Sequence, residues 1–350
     1  MYNSKFCVSK CAMVLLVFLL HSVSGRADTV LGAWQNTASL PKPFCAHTMV
    51  TVNDCLYVVG GIQGNAYGNM KSSVFRARIQ EDGMLAAWES ITPLPQVMGH
   101  HSAVAIGNRI YVVAGRSHGS ILNNGIMAKP TTYIGLVDEH DNIEKWEEIC
   151  GFPDDVVYRG ALAASDTHLY YAGGFYRRLV YQAHIYPDGS LSEWSRAGNL
   201  ISSHAYLGLV YYENHLFVIG GNRGYLPHDA LDETFSTTIQ PDGNIEGWRR
   251  CLEMPRPNYG FSLAQKNNTV FIVGGAGPRD DVWCTSVSKT GTFSKWKREG
   301  PFPIAVQGGA AVVHKNHIYH AGGRTKLTNG RLTTLKQVYV AKIGILLKDK

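Results

Sequence analysis

Short hydrophobic segments recur along the chain, and their order within each recurrence is constant. A strand of small residues, as in 101–106, leads through a tight turn into a β-branched and aromatic strand that ends in a small doublet, as in Ile110–Gly115. A third strand ends in several repeats at an Asp-Gly hairpin, where glycine adopts a left-handed backbone at little cost, and a fourth contains a single Trp. Four short antiparallel strands in about 50 residues are typical of one β-propeller blade.

Two markers indicate that this unit occurs six times. The doublets are Gly60-Gly61, Ala114-Gly115, Gly173-Gly174, Gly220-Gly221, Gly274-Gly275 and Gly322-Gly323, and the tryptophans are Trp34, Trp88, Trp146, Trp194, Trp248 and Trp296. Successive doublets are 47 to 59 residues apart and successive tryptophans 48 to 58. Because the two markers keep step over five intervals, the sequence predicts an all-β fold, a six-bladed β-propeller of four-stranded blades.

The last repeat lacks its Trp strand, and a matching strand stands at the other end of the chain. Val338–Ile343 has the pattern of a third strand, but no Trp follows it. Leu31 precedes Trp34 by three residues, and three other repeats have Leu or Ile at the same spacing. We therefore expect the N-terminal segment to complete the sixth blade and to bring Trp34 near Tyr339, which leaves no open sheet edge.

The first 27 residues are typical of a secretory signal peptide. Lys5 and Lys10 precede an apolar run at 12–20, and small residues then lead to Ala27. The run is about half the length that a bilayer span needs, so we favour a cleaved signal over a membrane anchor. The sequence thus predicts a signal peptide at 1–27, a propeller at 28–350, and a secreted or periplasmic protein with no membrane contact after cleavage.

Charge and cysteine content narrow the functional classes. Loss of Lys5, Lys10 and Arg26 with the signal lowers the formal net charge from +6 to +3, and we expect no nucleic-acid partner because such proteins usually present a basic stripe. The five remaining cysteines are Cys45, Cys55, Cys150, Cys251 and Cys284. Their spacings match no zinc motif, and we interpret them as buried small hydrophobic residues rather than a disulfide framework. We predict no metal and no cofactor.

Strand order places two sets of residues on one rim of the propeller, where ligand sites of closed β-structures are found. The starts of the innermost strands contribute His47, His101, Gly160, Leu207, Phe261 and Gly309, with His100, Arg159, Tyr206, Tyr259 and Gln307 beside them. The loops after the doublets contain an Arg in five of six repeats, including Arg116, Arg178, Arg223, Arg279 and Arg324. In a chain of nearly balanced charge, these loops concentrate positive charge on this rim.

The doublets, the aromatic strands before them and the trailing tryptophans resemble kelch repeats over residues 28–350. The resemblance implies the fold but no particular activity. Kelch propellers include protein-interaction platforms, the core of galactose oxidase and exported bacterial N-acetylneuraminate epimerases. Export and six repeats make the chain similar to the epimerases, although no local motif specific to them is present. The extra domain, seventh blade and copper-site context of galactose oxidase have no counterpart here.

The rim chemistry leads to a first hypothesis of a site for an acidic carbohydrate, such as a sialic or uronic acid. Guanidinium groups bind carboxylates bidentately, and His and Tyr act as acids and bases. In this hypothesis Arg159 holds the anion, and His101 with Tyr259 or Tyr206 transfers protons in a mutarotation or epimerisation. The residues predicted to bind the substrate are His47, Arg116, Arg178, Arg223, Arg279 and Arg324.

Two other functions and one structural interpretation remain open at this point. The same rim suits a non-catalytic domain that binds a protein or a surface glycan, and it suits a lyase of uronic-acid polysaccharide. His47 and His101 share one repeat position, which indicates a common packing or hydrogen-bonding role. A pocket that joins His and Tyr to an Arg would favour an enzyme, whereas a mouth plugged by Phe44, Tyr206 and Phe261 would favour a binding domain.

Overall fold

The computed structural model describes residues 31–66, 68–117, 131–153, 158–224 and 227–344. The predicted signal peptide at 1–27 lies outside the described residues. Six four-stranded antiparallel sheets form the blades, which confirms the predicted all-β six-bladed propeller. In the described part of the chain, no helix is long and apolar enough to cross a bilayer.

Each blade is numbered in chain order, and its strands are given from the innermost outward. Blade 1 consists of Thr48–Val52, Cys55–Val59, Val74–Arg78 and Glu89–Ile91; blade 2 of Ser102–Ile106, Arg109–Val113, Thr131–Val137 and Ile143–Gly151; and blade 3 of Ala161–Ala164, His168–Ala172, Leu179–His184 and Ser195–Asn199. Blade 4 consists of Gly208–Tyr212, His215–Asn222, Ala230–Thr238 and Arg249–Arg250; blade 5 of Ser262–Lys266, Thr269–Val273, Val282–Ser286 and Lys297–Arg298; and blade 6 of Ala310–His314, His317–Ala321, Val338–Lys342 and Gln35–Asn36.

Among the described residues, two short strand pairs and one 3₁₀ turn lie outside the blades. Phe44–Cys45 pairs with Ile62–Gln63, and Arg324–Lys326 pairs with Leu332–Thr334. A single 3₁₀ turn occupies Pro227–Asp229. The two strand pairs extend the rim on which the innermost strands begin.

The N-terminal segment closes the ring as predicted. Gln35 lies opposite Val340, and Asn36 lies opposite Tyr339 in an antiparallel pairing. Just before them, the Trp34 ring packs edge-on against Phe302 with their centroids 4.9 Å apart. The two ends of the described chain therefore share one sheet, and the N-terminal strand covers the outer edge of Val338–Lys342 in blade 6.

Among the described residues, six large hydrophobic clusters each join two neighbouring blades, and a small seventh cluster contains Cys45, Ile62 and Met70. Every repeat Trp packs in the cluster that faces the preceding blade; Trp194, for example, stacks on Phe152 at 4.5 Å and donates its indole N–H to Thr132. Each blade thus buries its apolar side chains against its neighbours, and this mutual burial stabilises the closed ring.

The described cysteines agree with their interpretation as small hydrophobic residues. Cys45, Cys55, Cys251 and Cys284 are free thiols, and all but Cys251 are buried. The side chain of Cys150 lies outside the described part. No disulfide joins these four thiols.

Candidate functional site

One residue from each blade takes part in a closed ring of backbone hydrogen bonds at one mouth of the channel. Each lies two residues before the start of its innermost strand, and the six are Ala46, His100, Arg159, Tyr206, Gly260 and Gly308. The N–H of each donates to the carbonyl of the preceding member, over N–O distances of 2.7 to 3.2 Å, and the N–H of Ala46 donates to Gly308. We call these six residues the mouth ring.

All six members of the mouth ring have a left-handed backbone, with φ between 52° and 64°. This conformation costs an L-residue about 1–2 kcal/mol, so the four members that are not glycine are maintained by the surrounding structure. Blades 2, 3 and 4 contribute large side chains, from His100, Arg159 and Tyr206, whereas the other three blades contribute only Ala or Gly. One half of the mouth is therefore filled and the other half is open.

A cavity of about 230 Å³ lies against the mouth ring, and we call it the mouth pocket. Its lining comprises the mouth ring together with Cys45, Asn222, Gly224, Tyr259, Ala276, Gln307 and Arg324. None of these described lining residues is Asp or Glu, whereas two are arginines. The pocket therefore favours an anion. Among the described residues, no group of three or more His, Cys, Asp or Glu side chains is placed to hold a metal ion.

The Arg159 guanidinium is surrounded by aromatic rings. Its central carbon lies 4.9 Å from the centroid of the Tyr206 ring and 5.2 Å from those of Tyr158 and Phe175. Cation–π contacts of this kind hold a guanidinium in place, and its planar edge is the part that bonds to carboxylates. Arg159 is thus positioned before any ligand arrives.

Arg324 reaches the same pocket from the loop after the sixth doublet. Two backbone hydrogen bonds with Gln307, of 2.8 and 2.9 Å, hold it beside the mouth ring. Its side chain lies against the Cys45 thiol, whose pKa is raised by burial and lowered by this guanidinium. Among the described residues, Nε and Nη2 of Arg324 are buried without a hydrogen-bond partner. Buried donors of this kind are rare, and an anionic ligand would satisfy them.

His100 and Tyr259 are both uncharged at the mouth, one as a neutral imidazole and the other as a protonated phenol. Burial and then the charges of Arg159 and Arg324, with further contributions from other basic groups, hold the pKa of His100 well below its usual value, so its imidazole is neutral. Burial raises the pKa of Tyr259, although Arg279 opposes this, so its phenol keeps its proton. Tyr206 lies between the two, with its ring centroid 5.6 Å from that of His100 and 6.0 Å from that of Tyr259. A neutral His can accept a proton and a phenol can donate one.

The structure brings together only some of the residues predicted from the sequence. Arg159, Tyr206, Tyr259 and Arg324 line the mouth pocket. Arg116 is buried nearby, where its charge contributes to the lowered pKa of His100.

The two histidines of the predicted inner column line a second cavity of about 160 Å³, which shares all six mouth-ring residues with the mouth pocket. His101 Nε2 is 3.0 Å from Thr48 Oγ1 and 3.1 Å from the Val59 carbonyl, so it joins blade 2 to blade 1. Burial lowers the pKa of His101 to about 4 and that of His47 to about 3. For His101, these contacts give a structural hydrogen-bonding role between blades.

Four of the predicted arginines do not line the mouth pocket: the buried Arg116, and Arg178, Arg223 and Arg279. Arg178 is exposed, and Arg223 forms an ion pair with Glu233 at 2.8 Å. Arg279 donates to the Pro257 carbonyl at 2.9 Å and lies close enough to Tyr259 to lower the pKa of its phenol. Of the last three, Arg279 lies beside the pocket, through its contact with Tyr259.

Comparisons with known proteins relate the chain to kelch proteins. No protein-family model matches it. Kelch-like protein 40a of Danio rerio is 31% identical over 122 residues, which cover 34% of this chain and 19% of that protein. Human Kelch-like protein 34 is 22% identical over 253 residues, which cover 71% of this chain and 37% of that protein. The matched part thus spans only about a fifth to two fifths of these relatives.

A solved structure resembles the whole ring. The structure of YjhT superposes with a TM-score of 0.62 over 85% of this chain and 95% of that chain, at 15% sequence identity. At this identity the likeness concerns the fold.

Proposed function

Because the chain is a kelch-repeat six-bladed β-propeller, we propose that it binds a small acidic sugar, such as a sialic acid, in the mouth pocket and interconverts its anomers or epimers. The observation that supports this proposal is the pair of arginines, Arg159 and Arg324, in a pocket whose described lining contains no acidic side chain. Two guanidinium groups suit a carboxylate, and the pocket volume suits a monosaccharide better than a larger ligand.

Anomer interconversion needs only a base and an acid beside the ring carbon. His100 takes the proton of the anomeric hydroxyl, and the electron pair of that O–H bond forms the carbonyl. The pair of the ring C–O bond goes to the ring oxygen, which receives a proton from Tyr259 or Tyr206. The open chain then turns its carbonyl and closes on the other face, and both protons return. Arg159 and Arg324 hold the carboxylate throughout, which keeps the reacting atoms in place.

The resemblance to exported bacterial N-acetylneuraminate epimerases and the likeness to the YjhT fold both support this proposal. The proposal includes export of the protein, because residues 1–27 have the pattern of a secretory signal peptide. We accordingly propose a secreted or periplasmic protein that meets its sugar outside the cytoplasm.

The direct test starts from a single anomer of N-acetylneuraminate and follows its conversion by NMR with and without the protein. We expect faster conversion and a sugar-dependent rise in Tm, with no rise for neutral N-acetylmannosamine. Arg159→Gln and Arg324→Gln are expected to abolish both effects, whereas Arg178→Ala, an exposed arginine of the same rim, retains them. The proposal fails if no acidic monosaccharide or oligosaccharide raises the Tm of the unaltered protein. An unsaturated product from a polyuronate would instead indicate the lyase.

A non-catalytic binding function is the second candidate, and Tyr176 is the observation that favours it. This side chain is 58% exposed on the rim, and its ring packs against Phe175 with centroids 4.3 Å apart. Exposed aromatic residues are enriched at sites of protein and glycan contact. This candidate predicts that an acidic glycoprotein binds without anomer conversion, and that Tyr176→Ala weakens that binding more than Arg324→Gln does.

A further inference from the structure

We propose that Gly260 and Gly308 form the floor of the subsite for the sugar ring, and that their missing side chains set the size of ligand that the mouth pocket accepts. This inference rests on the proposed function, because it places the proposed substrate within the pocket. Three observations support it: the backbone at equivalent positions, the space above the two glycines, and the groups that surround them.

The backbone of the mouth ring does not by itself require glycine. Gly260 and Gly308 have φ of 60° and 64°, and Arg159 has the same φ of 64° with a full side chain. Ala46 and Tyr206 adopt closely similar values of 52° and 54°. Glycine lowers the cost of this conformation, but four of the six equivalent positions accept another residue. Conformation alone therefore does not explain the absence of side chains in blades 5 and 6.

Packing does not require glycine at these positions either. A Cβ added to Gly260 or Gly308 would have no atom within 4 Å. The adjacent Gly309 differs, because a Cβ there would lie 2.6 Å from the His320 ring, and Gly160 differs likewise, with the Tyr171 ring at 2.5 Å. The added Cβ atoms of Gly260 and Gly308 would thus enter open space, and both residues line the mouth pocket as well as the adjoining cavity of about 160 Å³.

The groups around this floor match the parts of an acidic sugar. Tyr259 precedes Gly260, and Gln307, which is paired with Arg324, precedes Gly308. Arg159 lies on the filled half of the mouth ring. A pyranose resting on the two glycines therefore has guanidinium groups for its carboxylate and a phenol and an amide for its hydroxyls. Glycine permits such close approach of a ligand to the backbone.

The test compares the affinity of the protein for N-acetylneuraminate, measured by calorimetry, in Gly260→Leu, Gly308→Leu and the unaltered chain. We expect each substitution to weaken binding about tenfold or more, because a side chain on the floor occupies the place of the sugar. Gly308→Ala, which introduces the residue that Ala46 already provides in blade 1, is expected to weaken binding about threefold and provides a variant with minimal strain.

The matched control is Gly107→Leu. Gly107 has φ of 57° and open space around its added Cβ, but it lies in the exposed turn at the opposite end of its innermost strand. The substitution therefore has a similar backbone cost without reaching the pocket, and affinity should remain unchanged. If the unaltered protein binds the sugar and the folded Gly260→Leu and Gly308→Leu variants bind it with equal affinity, the two glycines do not form the floor of the subsite. Absence of binding by the unaltered protein would instead overturn the proposed function, and the floor with it.

Discussion

The guanidinium carbon of Arg159 lies 4.9 Å from the centroid of the Tyr206 ring, and the Tyr206 N–H donates to the Arg159 carbonyl over 2.7 Å. Two residues 47 positions apart in the sequence, from neighbouring blades, are therefore joined both by their side chains and through the mouth ring. The aromatic face orients the cation, so a ligand carboxylate meets a guanidinium that is already in place, which reduces the entropy lost on binding.

From this pair we predict that Arg159→Lys weakens binding of N-acetylneuraminate about tenfold, because an ammonium group cannot form the planar bidentate pair. Tyr206→Leu should weaken binding about threefold through loss of the cation–π contact, whereas Tyr206→Phe keeps the ring and the affinity. Calorimetry measures all three variants. Arg178→Lys, on the same rim but exposed, serves as the control, and unchanged affinity in Arg159→Lys would contradict the prediction.

The fold could be predicted from the sequence because its signals are periodic and have simple steric causes. The doublets mark the ends of second strands, where the backbone turns left-handed, and each Trp fills the space between two blades. The closure at Trp34 was predictable for the same reason, since a strand missing from the last repeat had a counterpart near the start of the chain.

The residues of the site were harder to predict, because a shift of one position along the chain changes which side chain lines the mouth pocket. The sequence pattern singled out His101, whereas the structure places His100 in the mouth pocket and His101 in an inter-blade hydrogen bond. The mouth-ring residue of each blade has a left-handed backbone two positions before the innermost strand. Because four of the six mouth-ring residues are not glycine, no glycine pattern in the sequence reveals this position. Likewise, Arg in a doublet loop did not distinguish Arg324, which lines the pocket, from Arg223, which pairs with Glu233.

The buried histidines beside the channel predict a loss of stability in mild acid. Burial lowers the pKa of His101 to about 4, and burial with a neighbouring histidine lowers the pKa values of His47 and His320 to about 3. In the unfolded chain these groups titrate near 6.5, so below that pH the unfolded state binds more protons than the folded state. The free energy of unfolding therefore falls as pH decreases from about 6.5 toward 4, by about 2 kcal/mol for each histidine at pH 5.

Urea denaturation at pH 7 and pH 5 checks this prediction. His101→Gln should reduce the difference in unfolding free energy between the two pH values, because one titrating group is removed while a hydrogen-bonding side chain is kept. His140→Gln, which replaces an exposed histidine, should leave the difference as it is. Equal stability of the unaltered protein at both pH values would show that these imidazoles do not remain neutral in the folded state.

Tyrosine hydroxyls of the second strands connect each of several blades to the next one. Tyr57, Tyr111, Tyr170 and Tyr319 donate to hairpin carbonyls of the following blade. The bond from Tyr319 to the Gly83 carbonyl, 2.8 Å long, joins blade 6 to blade 1 and thus spans the seam where the chain closes on itself. Phe217 occupies the equivalent position in blade 4, where the Gly291 carbonyl accepts a hydrogen bond from Ser236 Oγ instead.

Tyr319→Phe is therefore expected to lower the free energy of unfolding by about 1–2 kcal/mol, because the buried Gly83 carbonyl loses this donor while the ring still fits, as Phe217 shows. The measurement is urea denaturation near neutral pH, where the buried histidines are neutral in both variants. Tyr186→Phe, at a tyrosine that is 46% exposed, is the matched control and should change stability little. If Tyr319→Phe unfolds at the same urea concentration as the unaltered protein, the hydroxyl does not contribute to closing the seam, and apolar packing between blades 6 and 1 alone maintains it.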